Sequence, residues 1–230
     1  MRLKTMRKRF FAILCTASLV FATADIEASA SVISPTDVAV ASSGNVLIGV
    51  DGTFMTADLQ AGINRINEIR REAYEEKIVS AYVPVKLSAE LEGIAKIRAA
   101  EAALEIGHTR PNGTRGMLTT YQGMRSYGEI LAWNFRGGLV GGINQWYEEK
   151  EDLINETGGE TGHYTQMIDP KNEYIGLGCF YCTSGVPYPY SICGEFNSYT
   201  SSHTDVTDRL EPSYDTTQLI EVPEGNVTVP

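Results

Sequence analysis

EYIGLGCFYCTSGVPYPYSICGEF, residues 173–196, decides how this chain is read. Its two halves, Glu173–Tyr181 and Tyr188–Phe196, are rich in aromatic and β-branched residues, and they flank Ser184-Gly185-Val186-Pro187. That pattern predicts two strands joined by a turn, an antiparallel hairpin. With the turn centred between Gly185 and Val186, facing residue numbers sum to 371. With the turn centred on Val186 they sum to 372. The second register lets Cys179 face Cys193, and Cys182 then needs a shift of about three residues to find a partner. The expectation is a Cys179–Cys193 disulfide with Cys182 free.

Three helical runs precede the hairpin. Thr56 stands as N-cap before Leu59, Ile63, Ile66 and Ala73, which recur at helical spacing. A second helix runs from Ser88 with Leu91, Ile94, Ala95, Ala99, Ala102 and Ile106 on its buried side, and it stops before Pro111-Asn112-Gly113. A third, LVGGINQWYEEKEDLI, repeats Leu139, Ile143, Trp146 and Leu153. On a wheel of about 100° per residue, Glu149 falls beside that apolar stripe, Glu148 points away, and Lys150 lies inside it. Helices followed by an antiparallel hairpin imply an α+β class, with an α-β-α sandwich as one form of it.

The ends read differently. Residues 1–30 open with five basic residues in MRLKTMRKR, continue with the apolar run FFAILCTASLVFATA, and end in Ala28-Ser29-Ala30. This is the pattern of a secretory signal peptide, which places the protein outside the cell. The chain carries a net charge of −10, and removal of residues 1–30 leaves −13. So acidic a surface argues against nucleic acid and anionic lipid as partners. Residues 31–55 read as a Ser-, Val- and Gly-rich leader that adds at most a short hairpin. Residues 198–230 read as a polar, disordered tail, with His203 solvated. Between them, residues 56–197 form the folded domain. A lone CxxC at Cys179 and Cys182 does not make a structural zinc site. The chain contains neither H-E-x-x-H nor G-x-S-x-G.

Six motifs occur in order within residues 59–197: INEIRREA, IAKIRAAE, HTRPNG, YGEILA, W-x-x-E and GHYTQM. Together they resemble the CAP superfamily of cysteine-rich secretory proteins, antigen 5 and pathogenesis-related proteins, in a form close to its secreted bacterial members. The resemblance implies a three-layer α-β-α sandwich, and it agrees with a paired hairpin cysteine. It implies a cleft lined by His108, Glu129, Glu149 and His163. In that cleft His108 and His163 are the candidate ligands of Zn²⁺, and Glu129 or Glu149 the candidate general base or ring-orienting acid. Three functions follow as expectations: a module that binds a metal, small molecule or peptide, a surface ligand for a host or cell-surface partner, and a zinc-dependent hydrolase. The chain departs from the family at Ile130, where an asparagine is usual, at Ile168-Asp169-Pro170, and at Cys193-Gly194-Glu195, which replaces Cys-Asn-Tyr.

Overall fold

The computed structural model describes residues 35–38, 40–197 and 202–226. The signal-peptide reading of residues 1–30 lies outside them. In chain order the elements are β1 (Asn45–Phe54), α1 (Leu59–Glu75), β2 (Lys86–Leu87), α2 (Ala89–Leu104), β3 (Thr120–Tyr121), β4 (Met124–Arg125), β5 (Gly128–Asn134), α3 (Gly138–Glu148), α4 (Lys150–Asn155), α5 (Gly162–Ile168), β6 (Tyr174–Tyr181), β7 (Tyr190–Asn197) and β8 (Tyr214–Pro223).

The expected hairpin is β6–β7. It sits inside a sheet of order β5-β7-β6-β1-β8, with β2 added in parallel to β6. Helices α1, α3 and α5 cover one face. There Ile63, Ile66, Ile143, Trp146 and Tyr164 pack on Ile175, Leu177, Cys179, Ile192 and Phe196. Helix α2 covers the other, with Ala95, Ala99, Ala102 and Ala103 against Leu131, Phe180 and Cys193. Alternation along β6 sends Ile175, Leu177 and Cys179 to the first face and Gly176, Gly178 and Phe180 to the second. The glycines let α2 settle close: a Cβ at Gly176 would fall 2.0 Å from the Leu91 carbonyl carbon, and one at Gly178 would fall 2.3 Å from Ala95 O. An alanine face on a glycine floor brings helix and strand backbones together, and the arrangement positions β5 and β7 under the polar end of α2.

The helices follow the sequence pattern with three differences. Thr56 does not cap α1. Its hydroxyl donates to the Pro212 carbonyl and ties the C-terminal segment to the start of the helix. Helix α2 begins as expected, with the Leu91 N–H on Ser88 Oγ at 3.3 Å, but it ends at Leu104 and leaves Ile106 exposed. The third helix breaks into α3 and α4 at Glu149. Lys150 takes its place in the apolar stripe because its ammonium pairs with Glu72 and Glu76.

Two larger corrections concern the hairpin register and the ends of the domain. Facing residues on β6 and β7 sum to 371, as in Tyr174↔Asn197 and Tyr181↔Tyr190. Cys179 therefore faces Ile192, and Cys193 faces Gly178. A one-residue difference in register sends the two thiols to opposite faces of the sheet. Cys179, Cys182 and Cys193 are all free, and the expected Cys179–Cys193 disulfide does not form. The leader and the tail, read as peripheral, supply two sheet strands. β1 and β8 pair at ten consecutive positions from Asn45↔Pro223 to Phe54↔Tyr214. Residues 204–206 are pinned beside β2 and α2 by the bonds Ala89 N–Thr204 O and Val206 N–Leu87 O, each 3.0 Å. The tail carries many polar residues, yet Gln218, Ile220 and Val222 alternate and bury the face that meets α2 and its surroundings.

Candidate functional site: two carboxylate-backed histidines

The four residues expected in one cleft assemble as two histidine–glutamate pairs. His108 lies in the loop after α2, where its carbonyl accepts the Gly116 N–H at 2.7 Å. Its Nδ1 lies 2.7 Å from Oε1 of Glu129 on β5. The His108 side chain is 61% exposed and Glu129 is buried, so the pair runs from surface to interior. Arg98 of α2 holds the same carboxylate from beneath, with Nε 2.6 Å from Oε2 and Nη2 3.3 Å from Oε1. Burial works to raise the Glu129 carboxyl, but the bonds from His108 and Arg98 prevail and hold it below its ordinary range. The Glu129 hydrogen bond, opposed by burial, raises the His108 imidazole.

Glu149 occupies the break between α3 and α4. Its Oε2 accepts the backbone N–H of His163 at 2.9 Å and of Tyr164 at 3.0 Å, and its Oε1 meets His163 Nδ1. The carboxylate thus satisfies two unpaired N–H groups at the start of α5 and orients the ring as well. His163 is 27% exposed.

In both pairs Nδ1 is taken by a carboxylate, which leaves Nε2 as the ring atom for an outside partner. Neither glutamate is free to act as a base, because every oxygen is already engaged. Among the described residues, no set of three ligating atoms within 4.8 Å of one another contains either histidine. The set that does meet that distance is Glu129, Cys193 and Glu195, all buried. A cavity of about 620 Å³ at the β1–β8 end of the sheet, lined by Asp51, Thr53, Tyr181, Asp215 and Thr217 among others, includes none of the four.

The polar network behind the first pair was missed in the sequence. Arg98 also binds Glu101 at 2.7 Å, and Glu101 binds Arg110, which reaches Asp37. The available signal was the charge inside IAKIRAAE: an alanine-rich helix buried on most sides has no solvated face for Arg98 and Glu101.

The sequence model of the cysteine-rich secretory protein family, CAP, matches residues 63–214. The chain belongs to the CAP family. Its mixed helix and antiparallel-sheet architecture is the CAP α-β-α sandwich, and the family match reaches past Asn197 to the start of β8. Among solved structures, venom allergen-like protein 4 of Schistosoma mansoni is similar, 21% identical, with 60% of this chain and 85% of that one covered at a TM-score of 0.46. No curated protein matches the chain. In this CAP domain, Glu195 faces Glu129 across β5 and β7.

Proposed function

We propose that this CAP domain is a secreted binding module that contacts its ligand through Nε2 of His108 and His163. The observation that carries the reading is that a glutamate holds Nδ1 of each ring. A carboxylate behind an imidazole fixes its orientation and raises the basicity of the opposite nitrogen, the arrangement found behind metal-ligating histidines. Imidazole nitrogens of this kind are the donor type that suits a divalent cation such as Zn²⁺, with water completing the shell. Two such nitrogens do not fit the three protein ligands of a catalytic zinc centre, and the engaged glutamates leave no general base. A hydrolase is therefore the weaker reading, and an extracellular binding role the stronger.

The test is a zinc titration of the untagged protein beside His108→Ala, His163→Ala and the double variant, each checked for an intact fold. We expect one Zn²⁺ per chain, weakened by each single change, lost in the double, and weaker as pH falls through the raised His108 range. An affinity unchanged in the double variant, or flat from pH 7.5 to 5, would reject the two-histidine site. The domain would then be read as a surface ligand for another protein.

A further inference from the structure

Glu129 and Glu195 face each other on β5 and β7, and both side chains point to the α2 side of the sheet, away from bulk water. Every charged or titratable neighbour can be named. From α2 comes Arg98, committed to Glu129 and Glu101. From β7 comes Cys193, whose Sγ–H donates to Glu195 Oε1 at 3.3 Å. From β6 comes Gly176, which brings no charge. Ser126 lies beside Glu195 and works to hold it down, but its one hydroxyl proton already has the Gly128 carbonyl at 2.9 Å and the Phe196 carbonyl at 3.1 Å; His108 sits on the far side of Glu129. If Glu195 were ionised, its Oε2 would be a buried oxygen with no donor, directly beside a second carboxylate. Fully buried polar atoms almost always have a partner, and two carboxylates sharing a site do not both ionise.

We propose that Glu195 is a carboxylic acid in the folded protein, that its Oε2–H donates to Glu129, and that it thereby positions the carboxylate that holds His108. Glu129 then accepts from three directions: Arg98 below, Glu195 beside it and His108 above. Burial and the Glu129 charge push Glu195 well above the ordinary carboxylate range, in keeping with this geometry. A proton fits the space better than a cation bound by Glu129, Cys193 and Glu195. Arg98 already neutralises Glu129, and the Gly116 backbone closes over both: a Cβ there would lie 2.6 Å from Arg98 Nε and 2.7 Å from Glu129 Oε2. The role given to Glu195 rests on the proposed function only in treating His108 as a ligand contact. Its protonation does not depend on that reading.

The experiment compares Glu195→Gln with the wild type by urea unfolding of the full chain at several pH values. An acid that is neutral when folded and ionised when unfolded binds one more proton in the folded state. Wild-type stability therefore falls with rising pH above the unfolded carboxylate range, whereas the amide has no such dependence. We expect the ratio of folding constants, Gln over wild type, to grow about tenfold per pH unit between about pH 5 and 7. A ratio constant over that range overturns the proposal. Should Gln prevent folding, the infrared C=O band of a protonated carboxylic acid in ¹³C-Glu-labelled wild type at pH 7 is the second reading, and its absence overturns the proposal. For the positioning role, ¹⁵N spectra should show the Nδ1–H form of the neutral His108 ring kept in Glu195→Gln and diminished in Glu195→Val. No difference between the two overturns that role. A divalent cation retained in His108→Ala/His163→Ala and lost in Glu195→Gln would replace the proton with a metal and overturn the proposal. Zinc binding by the histidines can fail while the pH slope holds, and the reverse, so the two readings stand or fall separately.

Discussion

Cys179 faces Ile192 across the β6–β7 hairpin while Cys193 faces Gly178, so the two cysteines lie on opposite faces of the sheet. Cys182 shares the α2 face with Cys193 but lies four positions further along the hairpin, roughly 13 Å at strand rise, beyond reach of a disulfide. Burial pushes the thiols of Cys179 and Cys193 well above the ordinary range. Denaturation and alkylation without reductant should label Cys179, Cys182 and Cys193 in full, and reductant should leave the Tm unchanged. A linked Cys179–Cys193 peptide would contradict the register.

The strand β8 makes residues 202–226 part of the fold. A chain ending at Asn197 loses every partner of β1 except Tyr181 and Phe180 on β6. It also loses Ile220 and Val222 from the cluster around α2. We expect that truncation to abolish cooperative thermal unfolding monitored by circular dichroism. Ile220→Ala in the full chain should cost about 2–4 kcal/mol, read by urea denaturation. A stable, cooperative protein ending at residue 197 would count against this account.

Arg70 is buried in α1, and its guanidinium donates to three carbonyls at the end of α5 and beyond: Met167 at 3.2 Å, Asn172 at 3.1 Å and Asp169 at 2.9 Å. Burial lowers it to about 10, so the charge is retained at neutral pH. Arg70→Met should lose about 3 kcal/mol because it strands three carbonyls. Arg70→Lys should recover little, since an ammonium cannot reproduce the planar fork. Equal stability of the Lys variant and wild type would refute that geometry.

His203, expected to be solvated, stacks on Tyr174 at 4.3 Å and meets Ser88 Oγ through Nδ1 at 3.0 Å. Its Nε2 is buried without a partner, and desolvation lowers the imidazole below its ordinary value. The sign follows: the unfolded ring binds a proton more readily than the folded one, so the contact is fully present above the ordinary histidine range and is lost as pH falls through it. Hydrogen exchange of residues 202–213 should therefore quicken from pH 7 to 5, and His203→Phe, which keeps the ring stack, should flatten the trend. Exchange that is pH-independent once corrected for intrinsic rates would remove His203 as the cause.

The positions of β6, β7 and the three main helices were legible because apolar periodicity and turn residues are local properties of the chain. His108, Glu129, Glu149 and His163 were singled out only through the motifs that resemble the CAP family. The pairing of those four residues was not legible. The hydrogen bond from His163 Nδ1 to Glu149, and the capping of α5 by the same carboxylate, depend on how α3 breaks. Nor could Glu195 be recognised, because its meaning comes entirely from facing Glu129.

The sequence by itself determined the helix faces, the hairpin, the acidic charge and the family. Tertiary structure decided the register, which moved two cysteines to opposite faces by a single residue. It also decided the fate of the ends, since β1 and β8 become strands by pairing with each other across a separation of 160 residues or more. A strand whose outer face is polar carries a weak local signal, and only its partner supplies the hydrogen bonds that make it one.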